Sequence, residues 1–194
     1  IYIGMGQTAE NVAEKFGISR EDQDEFAYRS HQRATEAWER GFFDGEVVPM
    51  ETELVDENGN RSEMTAEKDE NVRPGTTLDI LSGLPAAFSE GGVVTPGNAS
   101  PLTDGAAATV VMSKEKADEL GIEPLGYYRT MQVAGVPPEI MGIGPVPAVR
   151  KLLDHTGMSI DDIDLVELNE AFASQSVYCA NELGIDLDKL NVNG

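Results

Sequence analysis

The sequence predicts a protein of the α/β class, in which strands and helices alternate in layers. Three observations predict it. From residue 93 onward, apolar segments of strand length alternate with segments of helical periodicity. The longer predicted helices each end at a glycine, the residue that most readily takes the left-handed conformation after a last helical turn. With 194 residues, 40% of them hydrophobic, the chain can bury a sizeable core.

Two helices are predicted near the beginning of the chain. Thr8 is a candidate cap for a first helix over residues 8–16, and Gly17 follows it. Residues 19–22 (Ser-Arg-Glu-Asp) resemble a capping box, with Asp in the place of Glu. They predict a long helix over about residues 20–40, where small and apolar side chains recur at helical spacing.

A less regular region follows, up to residue 100. Residues 46–50 predict a short strand, and residues 56–59 (Asp-Glu-Asn-Gly) predict a turn, because Asn and Gly tolerate a positive φ. Residues 63–71 are mostly polar and predict a loop. Residues 93–95 predict a strand that runs into a loop of small residues, 96–100.

The second half of the chain carries the alternation of strands and helices most clearly. Strands are predicted over residues 106–112, 124–134 and 165–168, with a single turn at 159–162. Helices are predicted over residues 113–120 and 145–156, and residues 169–172 lead into a further helix that runs through Leu183. These strands are too few for a complete sheet. The chain also starts at Ile1 and stops on the turn dipeptide Asn193-Gly194, so we expect a fragment of a longer protein.

The charge balance excludes two classes of partner. Fourteen Lys and Arg stand against 35 Asp and Glu, a formal charge of −21, which argues against non-specific binding to nucleic acids or anionic membranes. The acidity has two readings, a solvated surface or a high-salt habitat. The longest apolar run, residues 106–112, is far shorter than the ~20 residues of a membrane helix. A single cysteine rules out an intramolecular disulfide and fits a reducing compartment, so we expect a cytoplasmic protein.

Common catalytic and metal motifs are missing from the sequence. His31, His155 and Cys179 lie far apart and form no spaced pair of metal ligands, so we predict no metal site. Cys179 has apolar neighbours within a predicted helix, which favours an inert core residue over a nucleophile. Residues 142–145 (Gly-Ile-Gly-Pro) precede a helix and favour a tight turn over an anion cradle.

Two short clusters remain as candidates for a ligand site. Residues 97–100 (Gly-Asn-Ala-Ser) form a loop after a predicted strand, and their small side chains let a ligand approach the backbone. Residues 169–172 (Asn-Glu-Ala-Phe) lie where a predicted strand ends and a helix begins, the usual place for ligands in open α/β sheets. From spacing alone, each cluster could equally be a simple turn.

These two clusters and three further segments resemble motifs of the thiolase family. The segments occur in the family's order along essentially the whole chain: residues 5–13 (Met-Gly-Gln-Thr-Ala-Glu-Asn-Val-Ala), 97–108, 141–145 (Met-Gly-Ile-Gly-Pro), 169–172 and 191–194 (Asn-Val-Asn-Gly). The resemblance implies a layered α/β fold with two similar halves and a loop domain inserted in the first. It further implies acyl transfer on coenzyme A thioesters, with CoA as substrate and no other cofactor.

The resemblance assigns roles residue by residue. Asn169 matches the asparagine that positions a water in an oxyanion hole. Ala99 and Ser100 match the loop along the pantetheine arm, and Arg73 matches a basic position near the CoA nucleotide. Phe88, Met141 and Phe172 match the apolar lining of the thioester pocket, Met5 matches its edge, and Ala171 is a further substrate-binding residue. Gly4 stands where some biosynthetic members carry histidine, which favours the broader 3-ketoacyl-CoA branch.

The same resemblance divides the chain into three parts. Residues 1–101 correspond to the loop domain, 102–124 to the end of the N-terminal half and 125–194 to the start of the C-terminal half. The family's nucleophilic cysteine would precede Ile1, and its histidine and second cysteine would follow Gly194, so the chain alone should not turn over. Full-length members form dimers or tetramers. The alternatives are a thiolase-like protein that binds acyl-CoA or lipid without chemistry, and a purely structural acidic protein.

Overall fold

The computed structural model describes residues 2–194. Its helices are α1 (Met5–Phe16), α2 (Arg20–Glu39), α3 (Leu78–Ser82), α4 (Lys114–Leu120), α5 (Pro145–Thr156) and α6 (Ala173–Leu183), its strands are β1 (Met50–Val55) and β2 (Arg61–Ala66), and 3-10 turns cover Pro138–Ile143 and Ile160–Asp162. The predicted helices are therefore all present, while the predicted strands largely are not.

The helix ends follow the capping residues of the sequence. Ser19 and Asp22 form the reciprocal hydrogen bonds of a capping box at the start of α2. Gly17 ends α1 with a φ of 68°, in the left-handed region that costs glycine little. The predicted cap of α1 is wrong: the helix starts one turn earlier, at Met5, because Thr8 donates its hydroxyl to the Met5 carbonyl and does not cap.

The two strands form an antiparallel hairpin, with Met50 opposite Ala66 and Val55 opposite Arg61. The predicted turn is confirmed: the Asp56 carboxylate accepts from the backbone of Asn58 and Asn60. The strand predicted over residues 46–50 lies instead at Met50–Val55, and the loop predicted over residues 63–71 contains most of β2. Both strands are exposed, so burial left no alternating pattern in the sequence to mark them.

Helices α1, α2, α5 and α6 pack together with the 3-10 turn Pro138–Ile143. Helix α6 occupies the centre, against α1 on one side and α2 on another, and most of its first turns are buried. One apolar cluster joins the end of α6 to the C-terminal segment through Ala180, Ile185 and Leu190. This arrangement fixes the N-terminus of α6, which directly follows the candidate site residues 169–172.

Four predicted strands do not form: residues 93–95, 106–112, 124–134 and 165–168. The last keeps a single bridge, Val166 to Leu190. Residues 106–112 were expected to be buried, yet Val110 and Val111 are 84% and 81% exposed. A strand needs a neighbour to accept its backbone hydrogen bonds, and within residues 2–194 none lies beside residues 106–112 or 124–134.

A membrane-spanning helix is not found in the part of the chain that the structure describes: none there combines the required length and apolar character. The helices are instead amphipathic or short, as in α1 and α3.

Candidate functional site

The two candidate clusters pair with each other through their backbones. Ala99 lies opposite Phe172 in an isolated antiparallel bridge. The Ser100 N–H donates to the Ala171 carbonyl at 3.0 Å, and the Ala173 N–H donates to the Asn98 carbonyl at 2.9 Å. Segments about seventy residues apart in sequence thus form adjacent walls of one site.

A cleft of about 290 Å³ opens between these walls and helix α2. Residues 97–101 line one side, Asn169 and Glu170 another, and Ser30, His31 and Ala34 of α2 close the base. Such a volume is at the lower end of the range of small-molecule sites. The structure therefore brings Ser100 and Asn169 to one groove, as the resemblance requires.

Asn98 anchors the first wall. Its side-chain oxygen accepts from the Thr95 N–H at 2.8 Å, and its amide nitrogen donates to Asp24 at 3.0 Å and to the Val93 carbonyl at 3.2 Å. The residue is only 3% exposed, so the bonds to Thr95 and Asp24 are shielded from water and the bond to Val93 is partly shielded. The amide of Asn98 therefore folds residues 93–98 into a rigid turn.

Glu10 of α1 holds the segment just before this turn. Its carboxylate accepts from the N–H groups of Val93 and Val94 at 3.0 and 3.1 Å. Gly92 permits this approach, because a side chain there would overlap the Glu10 carboxylate. A side chain thus supplies the acceptors that a neighbouring strand would otherwise provide.

Asn191 anchors the second wall. Its amide accepts from the Leu168 N–H and donates to the Leu168 carbonyl, both at 2.8 Å, and it also donates to Glu170 at 2.7 Å. Asn191 has a φ of 46°, a left-handed conformation that asparagine tolerates better than most residues. The C-terminal segment thereby fixes the strand-like approach to Asn169.

Asn169 itself presents an exposed side chain to the cleft. Within residues 2–194 its amide makes no side-chain hydrogen bond, while its backbone carbonyl accepts from Gln175 at 3.4 Å. A fixed backbone with a free amide can donate to a ligand oxygen or to a water. This is the chemistry that an oxyanion hole needs.

The predicted apolar residues form a second group, outside the lining of the cleft. The Phe88 and Phe172 rings meet edge to face, with centroids 5.9 Å apart, and the Phe88 ring covers Gly6. Met5 lies next to Gly6, and Met141 lies on the 3-10 turn that packs against α1. Because Phe172 pairs with Ala99, this apolar group adjoins the cleft through the shared bridge.

The basic group of the cleft includes one residue that the sequence analysis missed. His31 lines the cleft, and burial, together with the charge of Arg73, lowers its pKa below the usual 6.5. Arg73 does not line the cleft, but its neighbours Asn71 and Val72 do, so it lies at the margin. The signal available in the sequence was its position next to Ser30, in the part of α2 where small and apolar side chains recur at helical spacing.

Cys179 is fully buried in α6, where burial raises the pKa of its thiol to about 12. Its Sγ lies 3.5 Å from the Gly142 carbonyl. The sequence analysis quoted the buried polar anchors Glu10, Asn98 and Asn191 only as members of motifs, and it missed Asp24, because only a fold can show what a polar side chain bonds to.

Two family models match the chain: residues 2–115 match the thiolase N-terminal domain and residues 122–194 match the thiolase C-terminal domain. This chain belongs to the thiolase family. The resemblance drawn from the motifs is confirmed. The division at residues 101 and 124 stays a prediction.

Relatives and solved structures agree with this membership. The 3-ketoacyl-CoA thiolase of Bacillus subtilis (strain 168) is 53% identical over 197 residues, which cover all of this chain and 50% of that relative. A crystal structure of the Bacillus anthracis acetyl-CoA acetyltransferase superposes with a TM-score of 0.91 at 49% identity, over 100% of this chain and 48% of the other. The dimeric peroxisomal thiolase of Saccharomyces cerevisiae gives 0.89 at 44% identity, over 99% and 47%.

The fold class is confirmed by these superpositions: the chain has part of the layered thiolase fold. It spans about half the length of the curated relatives it matches. The predicted strands that do not form, such as residues 106–112 and 124–134, thus belong to a thiolase fold. Within residues 2–194 they do not pair into a sheet.

Proposed function

We propose that the chain forms the CoA-facing part of an acyltransferase that cleaves 3-ketoacyl-CoA with a second CoA, giving acetyl-CoA and a shortened acyl-CoA, or runs the reverse condensation. Fatty-acid β-oxidation is the corresponding degradative role. The observation that carries the proposal is the pairing of residues 98–100 with residues 171–173, which puts Ser100 and Asn169 on one cleft.

The proposed roles follow from the geometry of each wall. Ala99 and Ser100 have small side chains beside a fixed backbone, which suits a long flexible arm such as pantetheine. The free Asn169 amide donates, directly or through a water, to the thioester oxygen as negative charge develops on it. A preorganised donor of this kind contributes about 3–4 kcal/mol to transition-state stabilisation. The apolar group around Phe88 and Phe172, with Met5, Met141 and Ala171, takes the acyl portion.

Coenzyme A carries several negative charges, as does this protein, with a formal charge of −21. Binding therefore needs local positive charge at the cleft. Arg73 at its margin carries such a charge, which supports a nucleotide-side contact for Arg73. His31 at its base has a lowered pKa and is mainly uncharged at neutral pH, so it does not supply this charge. CoA serves as substrate, and the proposal includes no other cofactor.

The proposal excludes Cys179 as the nucleophile. A buried thiol with a pKa of about 12 is protonated at neutral pH and out of reach of a substrate in the cleft. The reactive thiolate and its histidine base are therefore supplied by polypeptide other than residues 1–194. By itself the chain binds CoA and does not cleave the thioester.

The test is a chimera in which residues 1–194 replace the matching half of the Bacillus subtilis relative. We expect thiolysis of acetoacetyl-CoA, and we expect Asn169→Ala to lower kcat by about a hundredfold or more with little change in KM, since the amide acts on the charged transition state. Asn58→Ala, in the exposed hairpin turn, is the matched control and should be silent. Equal losses in kcat and KM would contradict the role of Asn169.

A second candidate is a thiolase-like protein that binds acyl-CoA or lipid without chemistry, favoured by the cleft and the adjoining apolar pair Phe88 and Phe172, which suit binding alone. CoA binding with no thiolysis in the chimera would establish it. Absence of CoA binding by calorimetry would reject the first candidate and the acyl-CoA form of the second.

Assembly and location are further parts of the proposal. We expect the whole protein to form a homodimer or homotetramer, supported by the dimeric yeast neighbour. A cytoplasmic location is supported by the single unpaired cysteine, although that neighbour is peroxisomal. Sedimentation of the chimera tests the first, and localisation in the source cells tests the second.

A further inference from the structure

Helix α2 carries a charged pair on its buried side, next to the cleft. Arg20 Nε lies 2.7 Å from an Asp24 carboxylate oxygen, and the Asp24 side chain is 5% exposed. Burying a carboxylate is costly unless each oxygen is paired. The second oxygen of Asp24 accepts from the Asn98 amide at 3.0 Å, so both are satisfied.

This second bond leads directly to the backbone of both cleft walls. The Asn98 side chain donates to Asp24 and accepts from the Thr95 N–H. The Asn98 backbone carbonyl accepts from the Ala173 N–H at the start of α6. Two residues on, Ser100 donates to Ala171. Rotation of the Asn98 side chain would therefore disturb residues on both walls together.

Arg20 connects the same carboxylate to a third element. Its guanidinium donates to the carbonyls of Leu81 and Leu84, at and after the end of α3. Asp24 thus lies between a fixed cation on one side and the cleft loop on the other. A neutral residue of similar size would hold only one of these partners.

We propose that Asp24 is a positioning residue of the cleft: through Asn98 it fixes the spacing between the Ser100 wall and the Phe172 wall, and hence the fit of the pantetheine arm. Asp24 touches no substrate. The proposal about binding rests on the proposed function, while the proposal about the loop does not.

The first experiment measures amide hydrogen exchange in the purified chain, at Ser100 and Ala173. We expect Asp24→Ala to speed exchange at both by about fivefold or more, the equivalent of one lost hydrogen bond, with no change in the last turns of α5. Asp24→Asn keeps one acceptor for Asn98 and should recover most of the protection. Glu25→Ala, an exposed carboxylate of the same helix, is the matched control.

Two exchange results would overturn the proposal: unchanged protection at Ser100 and Ala173, or equal acceleration at these amides and in α5, which would show general destabilisation. Should Asp24→Ala not fold, Asp24→Asn decides alone. Asp24→Asn must speed hydrogen exchange at Ser100 and Ala173 by less than Asn98→Ala does and by more than Glu25→Ala does. Any other order contradicts the positioning role of Asp24.

The second experiment is calorimetry with coenzyme A. We expect the Kd to rise about fivefold in Asp24→Ala and to return towards the wild-type value in Asp24→Asn. An unchanged Kd with altered exchange would show that the loop spacing does not govern binding, which overturns the positioning role. If the wild-type chain binds no CoA, the proposed function fails, and the exchange result still decides whether Asp24 holds the loop.

Discussion

Two regions of the chain have similar sequence patterns. The cleft region comprises residues 93–100 with 168–173, and the extended stretch comprises residues 102–134 without α4. Both contain valine-rich segments that predict strands. Val94 and Thr95 of the cleft region are fully buried, whereas Val110 in the extended stretch is 84% exposed. Neither region forms a regular strand, yet one is fixed in the interior and the other lies in solvent.

The difference lies in what accepts and donates the backbone hydrogen bonds. In the cleft region, the side chains of Glu10, Asn98 and Asn191 pair with the backbone of residues 93–95 and 168. The extended stretch has one long bond of this kind, from Lys151 Nζ to the Val133 carbonyl at 3.4 Å, and within residues 2–194 it has no neighbouring strand, so water satisfies most of its backbone. Apolar character alone therefore does not bury a segment; its polar backbone must be paired as well.

The largest effect on stability should come from Asn191→Asp, which changes a residue that anchors the cleft region. Asp tolerates the same left-handed backbone, so the change mainly removes the donor and sets a carboxylate against Glu170. We expect the free energy of unfolding to fall by about 2–4 kcal/mol, measured by urea denaturation. Asn193→Asp keeps its acceptor for Arg40 and should change stability by less than about 0.5 kcal/mol. Equal losses would remove the special role of Asn191.

A direct comparison of the two regions is a matched pair of valine truncations. Val94→Ala removes two buried methyl groups and should cost about 2 kcal/mol of unfolding free energy. Val110→Ala, in the extended stretch, should cost less than about 0.5 kcal/mol. If the two losses agree, Val110 is buried in solution and the contrast between the regions is wrong.

Glycine substitutions compare how tightly the surroundings of the two regions are packed. A Cβ at Gly142 would lie 3.0 Å from Gln175 Cβ, which crowds the helix that follows Asn169, and should cost about 1–2 kcal/mol. Gly135, directly after the extended stretch, has nothing within 4 Å, so Gly135→Ala should be neutral or slightly stabilising. Thermal denaturation of the two variants checks this, and a lower Tm for Gly135→Ala would contradict it.

The smallest effect concerns the pH dependence of the cleft. Because the pKa of His31 is lower in the folded chain than its unfolded value of 6.5, the unfolded chain binds the proton first as pH falls. Stability should therefore decrease from about pH 7 downward and level off below the folded pKa. His31→Asn should flatten that part of the profile. An NMR titration of the His31 ring with a midpoint above 6.5 would reverse the sign.

Helices were predicted more accurately than strands for a physical reason. The box of Ser19 and Asp22 and the glycines at 17, 121, 157 and 184 mark helix ends through bonds within a few residues. A strand depends on a partner elsewhere in the chain, so residues 106–112 have the propensity of a strand but do not form one. For the site, motif order pointed to Ser100 and Asn169, but not to His31 or Asp24.

The sequence alone determined local features and family membership: the helix ends, the acidic charge, and membership of the thiolase family through motifs in a fixed order. Only the tertiary structure decided that Ser100 and Asn169 share a cleft and that buried Glu10, Asp24 and Asn191 hold its walls. Capping acts within one turn of helix, whereas the pairing of a buried polar group depends on segments that only the folded chain brings together.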